Sequence, residues 1–472
     1  MPINSFLYPA KNVPGAYEGA NSCRFNENEY LVRDKTTATN VEDFTISVWV
    51  KRSVIADKSC IISSWGGDSN NTGSIYFTDG DKLTFEAQTS SSYSANGGVR
   101  KITTQVFRDV SSWSHLVFQK DDGVYKIYHN GTEITDFDTN TQSSGTNVFN
   151  NASGNTTIGL ENLASAGHPF KGYITEAVLI DGQALAPTSF GEFDEDSPTI
   201  WKPKNVSGLT FGNNGFYLDF EDSSNLGNDA SGGTDFTSNN LAATDQSTDT
   251  CTNNFCTLNP LDNYYQAATF SEGNLKIVTA GSSNTASTLG TFGVNKGKWF
   301  WEAKFVSDSQ GSSYGVIGIE GAQVTSATDA LLEGTQSYGL YLNDGKIWTN
   351  NSSNNHGSHI DLNAIIGVAL DLDNNRIYFS KDGQWGDGSG NWDEASPNNY
   401  LSVTAAASVA LGNYFPAHGD WSSGTIGWEV NFGNPTYSIS SGNSDANGYG
   451  NFEYTVPSGY YSLCSKNLAE FG

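Results

Sequence analysis

Between residues 44 and 51 the sequence FTISVWVK alternates strictly, with Phe44, Ile46, Val48 and Val50 on one face of an extended chain and Thr45, Ser47, Trp49 and Lys51 on the other. A period of two is the mark of a half-buried strand. It recurs in KLTFEAQ at Lys82–Gln88, and no long window shows the three-and-four spacing a helix needs. In WSHLVFQKDDGVYKIYHNGTEI at 113–134, two strands and the start of a third are separated by Asp122-Gly123 and Asn130-Gly131. Those dipeptides accept the positive φ angles of tight hairpin corners. GYITEAVLIDG at 172–182 adds a further strand. Fifty-one glycines, with 22 tyrosines, 26 phenylalanines and 11 tryptophans against one methionine, suit short strands joined by sharp turns. The expected fold class is all-β, in β-sandwich (jelly-roll) domains.

A chain of 472 residues is too long for one core, so two domains are expected. The strand pattern fades between about 205 and 265, where small polar residues and Asp dominate. It resumes in KWFWEAKFV at 298–306, YGVIGIEG at 314–321, SYGLYLNDGKIWT at 337–349, IIGVALDLDNNRIYFSKDG at 365–383 and IGWEVNFG at 426–433. The expected organisation is an N-terminal arm at 1–20, a first sandwich at 21–220, a Gly/Ser/Asn/Asp-rich linker or long ordered loop at 221–265, and a second sandwich at 266–472. The arm carries Phe6, Leu7 and Tyr8, and the sequence leaves open whether it packs on its own domain or on a neighbouring subunit. The second sandwich is expected to close on an edge segment, because Pro457 interrupts FEYTVPSGYYSLCSK.

A formal charge of −27, from 24 basic and 51 acidic residues, opposes nucleic acid and anionic membranes by direct repulsion. Five scattered cysteines imply no disulfide framework and at least one free thiol. The N-terminus MPINSFLYPAKNVPG has neither a basic start nor an apolar core, so synthesis in a cytoplasm without a signal peptide is expected. No run of 18 apolar residues occurs, and no membrane insertion is expected.

The order RFNENEYL, FTISVWVKRS, WSHLVFQKDDGVYKIYHNGTEI and FKGYITEAVLIDGQAL across residues 20–200 resembles the concanavalin A-like lectin/glucanase superfamily in its laminin-G or pentraxin form. GKWFWEAKF, YGVIGIE, YGLYLNDGKIW, IIGVALDLDNNRIYFSKDGQW and WEVNFGNP across 270–435 resemble a SPRY domain. Their pairing, with the polar bridge and the ending YYSLCSKNL, is similar to appendage or tail-fibre proteins of marine bacteriophages. The resemblance implies a virion surface protein, released by lysis, that binds.

The laminarinase branch of the lectin-like superfamily hydrolyses β-glucans with the carboxylates of Glu-x-Asp-x-x-Glu on one strand face. The nearest approach, Glu192-Phe193-Asp194-Glu195-Asp196-Ser197, lacks the last carboxylate and precedes Pro198, so a solvated acidic loop is expected. His356 and His359 read as a surface loop, and Asp371-Leu372-Asp373-Asn374-Asn375 as a hairpin, since Arg376 stands where a calcium loop needs Gly. No cofactor is expected. A structural calcium ion on Asp79, Asp81, Asp121 and Asp122 is the one metal candidate, because lectin-like sandwiches often hold an ion on loop carboxylates. For ligand binding the candidates are Trp385 and Trp392, in the Gly/Asp/Asn-rich stretch 381–400, with Trp421 of HGDWSSGT. Indoles beside amides and carboxylates stack sugar rings or anchor peptides; folding back as lids on the core is the competing expectation. Trp299, Trp301 and Trp428 are expected in the core or on the sheet.

The expected function is therefore that of a non-enzymatic tail fibre or capsid-decorating appendage that binds a host-surface glycan or neighbouring virion proteins. A monomer is open, as is a trimer built through sandwich faces, since no coiled-coil shaft is present. The alternatives are a polysaccharide-degrading hydrolase of the lectin/glucanase superfamily and a cellular SPRY adaptor for peptides.

Overall fold

The alternation at 44–51 becomes the middle of a sheet. In the computed structural model, which describes residues 17–89, 91–151, 153–162, 166–195, 197–264, 268–280, 286–325, 331–421 and 424–472, the Phe44–Arg52 strand runs antiparallel to Ser114–Asp121 and to Gly172–Asp181. Val48 lies opposite Leu116, and Val50 opposite Ile174. The sheet order is Thr132–Glu133, Val124–His129, Ser114–Asp121, Phe44–Arg52, Gly172–Asp181, Ser22–Phe25, Gln246–Ser247. A second sheet runs Phe137–Gln142, Val99–Val106, Lys82–Gln88, Thr72–Phe77, Ser59–Trp65, Asn155–Ile158, Tyr30–Asp34, Thr237–Asn239. Phe44, Ile46, Val48 and Val50 bury in one core with Ile75, Phe77, Phe85 and Phe118, each worth about 1.5–3 kcal/mol of transfer free energy. Both dipeptides read as corners are corners: Asp122 and Gly123 have φ of 44° and 80°, Asn130 and Gly131 of 47° and 78°. At Gly131 a Cβ would also stand 2.4 Å from the Trp201 ring.

The polar half of the alternation is not exposed. All nine residues of the strand are buried, because chain beyond residue 200 covers the outer face. Trp201 stacks on His115 with ring centroids 6.0 Å apart, and His115 stacks on Trp49 at 4.7 Å. An indole can only donate, so Trp201 Nε1, 2.9 Å from His115 Nδ1, fixes the tautomer, and Nε2–H donates to Ser47 Oγ at 2.8 Å. Burial lowers the imidazole pKa to about 3, so the ring is neutral.

The same cover corrects the expected linker at 221–265. Thr237–Asn239 pairs with Tyr30–Asp34, and Gln246–Ser247 with Ser22–Phe25. Leu226 and Phe236 lie in the core. Buried Asp249 accepts from Lys51 Nζ at 2.7 Å and from Trp113 Nε1 at 2.9 Å. The chain divides instead into Met1–Asn254 and Phe255–Gly472. The acidic residues that suggested a solvated tether satisfy backbone N–H groups: Asp222 takes that of Ser224, Asp229 those of Tyr217 and Ser231, and Asp235 that of Asp229. The arm residues Phe6, Leu7 and Tyr8 lie outside the described residues.

At a bulge in Gly172–Asp181, between Thr175 and Val178, Glu176 takes a φ of 50° and is buried. Tyr17 Oη lies 2.8 Å from its Oε1, Tyr217 Oη lies 2.8 Å from its Oε2, and the two phenol oxygens lie 2.8 Å apart. Three oxygen–oxygen contacts close a ring, but two phenols bring only two hydrogens, so the third is the carboxyl proton. Burial accordingly raises the Glu176 pKa from 4.5 to about 7. A folded-state pKa raised in this way adds stability that is present below about 4.5 and lost as pH rises through about 7. Glu176→Gln presents one acceptor and one donor at any pH. Urea titrations of the two proteins are therefore expected to diverge between pH 5 and 8, with the wild type losing about 3 kcal/mol relative to the variant; parallel curves would contradict the protonated ring.

The second unit is again a pair of sheets. One runs Leu258–Tyr264, Ala286–Gly290, Phe415–Asp420, Gly315–Glu320, Ser337–Tyr341, Lys346–Thr349, Ser352–Asn354; the other is centred on Lys298–Asp308 between Ile365–Asp371 and Ile426–Asn431. Trp299, Trp301 and Trp428 are in the core, as expected. Among the described residues the tail pairs on one side only. Tyr461–Ser462 pairs parallel with Trp299 and Phe300 of that central strand, and buried Glu302 accepts the backbone N–H groups of Glu453 and Tyr454. A short helix, Ser465–Phe471, follows and stacks Phe471 on Tyr461. Among the described residues no helix is long and apolar enough to cross a membrane.

Candidate functional site

Alternation along two adjacent strands places aromatics on the outer face of the Ser337–Tyr341 sheet. Tyr338 and Leu340 enter the core, so Tyr341 faces outward; Ile347 enters, so Trp348 faces outward. Trp421, just past Phe415–Asp420, joins them, with ring centroids 5.1 Å from Tyr341 and 5.6 Å from Trp348, both edge-on. Tyr314 stacks beside Tyr341 at 6.4 Å. Leu289, Val316, Leu331, Leu332 and Ala417 form the buried floor, while Tyr314, Trp348 and Trp421 remain partly exposed. Each indole is held by a carboxylate: Trp421 Nε1 donates to Glu333 at 3.1 Å, and Trp348 Nε1 to Asp344 at 3.2 Å. The result is an aromatic platform edged by acceptor oxygens, with ring faces fixed before any ligand arrives.

Of the three tryptophans singled out in the sequence, only Trp421 is in this platform. Trp385 is 5% exposed, among Phe300, Tyr378, Phe452 and Tyr460, and has no face to offer. Trp392 donates its N–H to the Ser358 carbonyl at 2.9 Å and lies against His356. It also covers Gly357, where a Cβ would stand 2.1 Å from the indole. Trp385 is therefore a lid on its own core, which corrects its assignment as a ligand residue, whereas Trp392 is partly exposed and lies outside this platform. Trp348, Tyr341, Tyr314, Glu333 and Asp344 were not singled out, although the period-two rule applied to SYGLY and KIWT points to Tyr341 and Trp348.

Comparison with known proteins follows the same division. Residues 25–188 match the concanavalin A-like lectin/glucanases superfamily, and residues 298–390 match the SPRY domain. The chain carries a concanavalin A-like domain followed by a SPRY domain. Among solved structures, the SPRY domain of human HERC1 is 15% identical, with 37% of this chain and 96% of that one covered and a TM-score of 0.29. A Bacteroides ovatus protein described as carbohydrate-binding is 16% identical, with coverage of 46% and 58% and a TM-score of 0.33. Domain 4 of AbnA, an arabinanase from Geobacillus stearothermophilus solved with arabinotriose, is 23% identical, with coverage of 35% and 73% and a TM-score of 0.27. No curated protein matches the chain.

In the concanavalin A-like domain the four candidate calcium carboxylates do not meet. Asp81 is buried at the far end of Phe44–Arg52, between Arg52 Nη2 at 3.1 Å and Arg108 Nε at 2.9 Å; burial opposes its ionisation, but the Ala56 backbone N–H together with these guanidinium groups holds its pKa down. Asp122 N donates to Asp43, at the near end of the same strand, and nine strand residues span about 26 Å. Asp79 and Asp121 are exposed. Among the described residues no group of three or more His, Cys, Asp or Glu is placed to hold a metal ion.

The acidic stretch at 192–197 serves structure: buried Asp194 pairs with Lys202 at 3.2 Å and accepts Ser197 N–H, and Glu192 lies 3.7 Å from Lys202. Asp196 lies outside the described residues. In the SPRY domain, Asp371 caps the expected hairpin through Asn374. His356, expected on the surface, is buried. Its Nε2–H donates to the Phe379 carbonyl at 2.9 Å, Nδ1 lies 2.8 Å from Asn399, and burial lowers its pKa to about 4. His359 stays half-exposed, its Nδ1 2.7 Å from the Asn343 carbonyl.

Proposed function

We propose that the protein is a non-catalytic glycan binder whose SPRY-domain platform takes sugar rings on Trp348, Trp421 and the adjoining Tyr314 phenol. The observation that carries the reading is the set of partly exposed rings locked in place by Glu333 and Asp344. The C–H face of a sugar packs on an aromatic plane, while nearby carboxylate and carbonyl oxygens accept its hydroxyls. Such a site is weak singly and becomes effective when copies are displayed together. The engagement of Glu192 and Asp194 by lysines supports binding without hydrolysis.

The setting we propose is a bacteriophage particle, with the chain as a tail fibre or capsid-decorating appendage facing host glycans or neighbouring virion proteins; it rests on the resemblance of the paired modules. A glycan array probed with the wild type and with Trp348→Ala/Trp421→Ala tests the reading. A set of glycans bound by the first and lost by the second is expected, with no new reducing ends on prolonged incubation. Binding of neutral glycans that survives the double variant removes the platform, and released sugar makes the protein a hydrolase. Antibody labelling of purified virions tests the setting, and absence of label would exclude it.

A further inference from the structure

The concanavalin A-like domain holds a second feature that the platform does not use. A cleft of about 350 Å³ opens where Phe44–Arg52 ends, with Phe107, Trp113 and the exposed Val106 as apolar walls and Gln105, Ser114 and Asn130 among its polar lining. At its rim stands Arg108, whose side chain is 60% exposed. Its Nε is tied to buried Asp81, and its terminal nitrogens have no hydrogen-bond partner among the described residues. Asp81 also faces Arg52, which lies over the Phe77 ring and donates to the Phe107 carbonyl. One carboxylate therefore answers two guanidinium groups. Asp109, the other acid of the lining, is occupied by the Ser111 backbone N–H at 2.8 Å and by the hydroxyls of Ser111 and Ser112. A chain of charge −27 thus presents, at the edge of a sugar-sized cleft, an oriented cationic fork.

We infer that this cleft binds a carboxylate-bearing sugar, a uronic acid unit of an acidic glycan, with its carboxylate bidentate on Arg108 and its ring against Phe107 and Val106. A guanidinium fork matches a planar carboxylate in geometry as well as charge, and anchoring through Nε removes much of the side-chain entropy otherwise lost on binding. The inference rests on the reading of the protein as a glycan binder, but uses a different domain and different residues.

Isothermal titration of the full chain with trimers of galacturonate, glucuronate and mannuronate, and with their methyl esters, tests it. At least one free acid is expected to bind, its methyl ester about tenfold or more weakly, and Arg108→Gln to lose the same factor. Arg108→Lys, which keeps charge without the fork, is expected to recover only part of it. Trp348→Ala/Trp421→Ala should leave this binding unchanged. Equal affinity for acid and ester, or an unaffected Arg108→Gln protein with unaltered melting temperature, overturns the inference. So does failure of all three acids to bind while neutral glycans still bind through the platform; loss of platform binding alone removes the broader reading instead. Preference for an acidic peptide over all three uronates would also overturn it.

Discussion

Asp249→Ala is expected to destabilise the first unit by about 3–5 kcal/mol, the range for removing one partner of a buried ion pair. Lys51 and Asp249 are both essentially inaccessible and 2.7 Å apart. The alanine takes that carboxylate from a buried ammonium and, in the same step, the acceptor from Trp113 Nε1. Asn254 Oδ1, also 2.7 Å from Lys51 Nζ, keeps one neutral hydrogen bond but no compensating charge. Asp249→Asn retains an acceptor and should lose less. Urea unfolding at pH 7 checks both variants, and a loss below about 1 kcal/mol for the alanine would return 221–254 to the status of a tether. A fragment ending at residue 254 should fold, whereas one ending at 220 lacks the core residues Leu226 and Phe236 and leaves buried Lys51 without Asp249.

The second large effect is on binding. Trp421→Ala is expected to reduce glycan affinity by about 2 kcal/mol, roughly 30-fold, as for a central aromatic anchor. Trp421 touches both Tyr341 and Trp348, so its removal also frees their planes. For that reason Trp348→Ala and Trp421→Ala should be non-additive, with the double variant little worse than Trp421→Ala alone. Calorimetry with one array-selected oligosaccharide measures this. Strictly additive losses would mean that the two indoles contact the ligand independently.

Both sandwiches were legible in the sequence because their central strands alternate and their corners carry Asp-Gly and Asn-Gly. Phe44 to Val50 and Trp299 to Trp301 enter cores as their spacing requires. What was not legible depended on partners distant in sequence. Nothing local to Thr45, Ser47, Trp49 and Lys51 announces that Trp201 and Asp249 will cover them. Composition misleads at 221–254 because Asp and Ser that cap turns look the same as Asp and Ser in water. The error at Trp385 has the same origin, since a Gly-rich stretch permits an indole to turn inward as readily as outward. Asp79, Asp81, Asp121 and Asp122 looked alike in hairpin turns, but only Asp81 has Arg52 and Arg108 beneath it.

The most direct measurement of the central claim is the set of indole N–H resonances of the intact protein during titration with a bound oligosaccharide. The account predicts that those of Trp348 and Trp421, assigned by substitution, shift in proportion to occupancy while Trp299, Trp301 and Trp428 stay fixed. Saturation of the protein with glycan while Trp348 and Trp421 remain unmoved would contradict it.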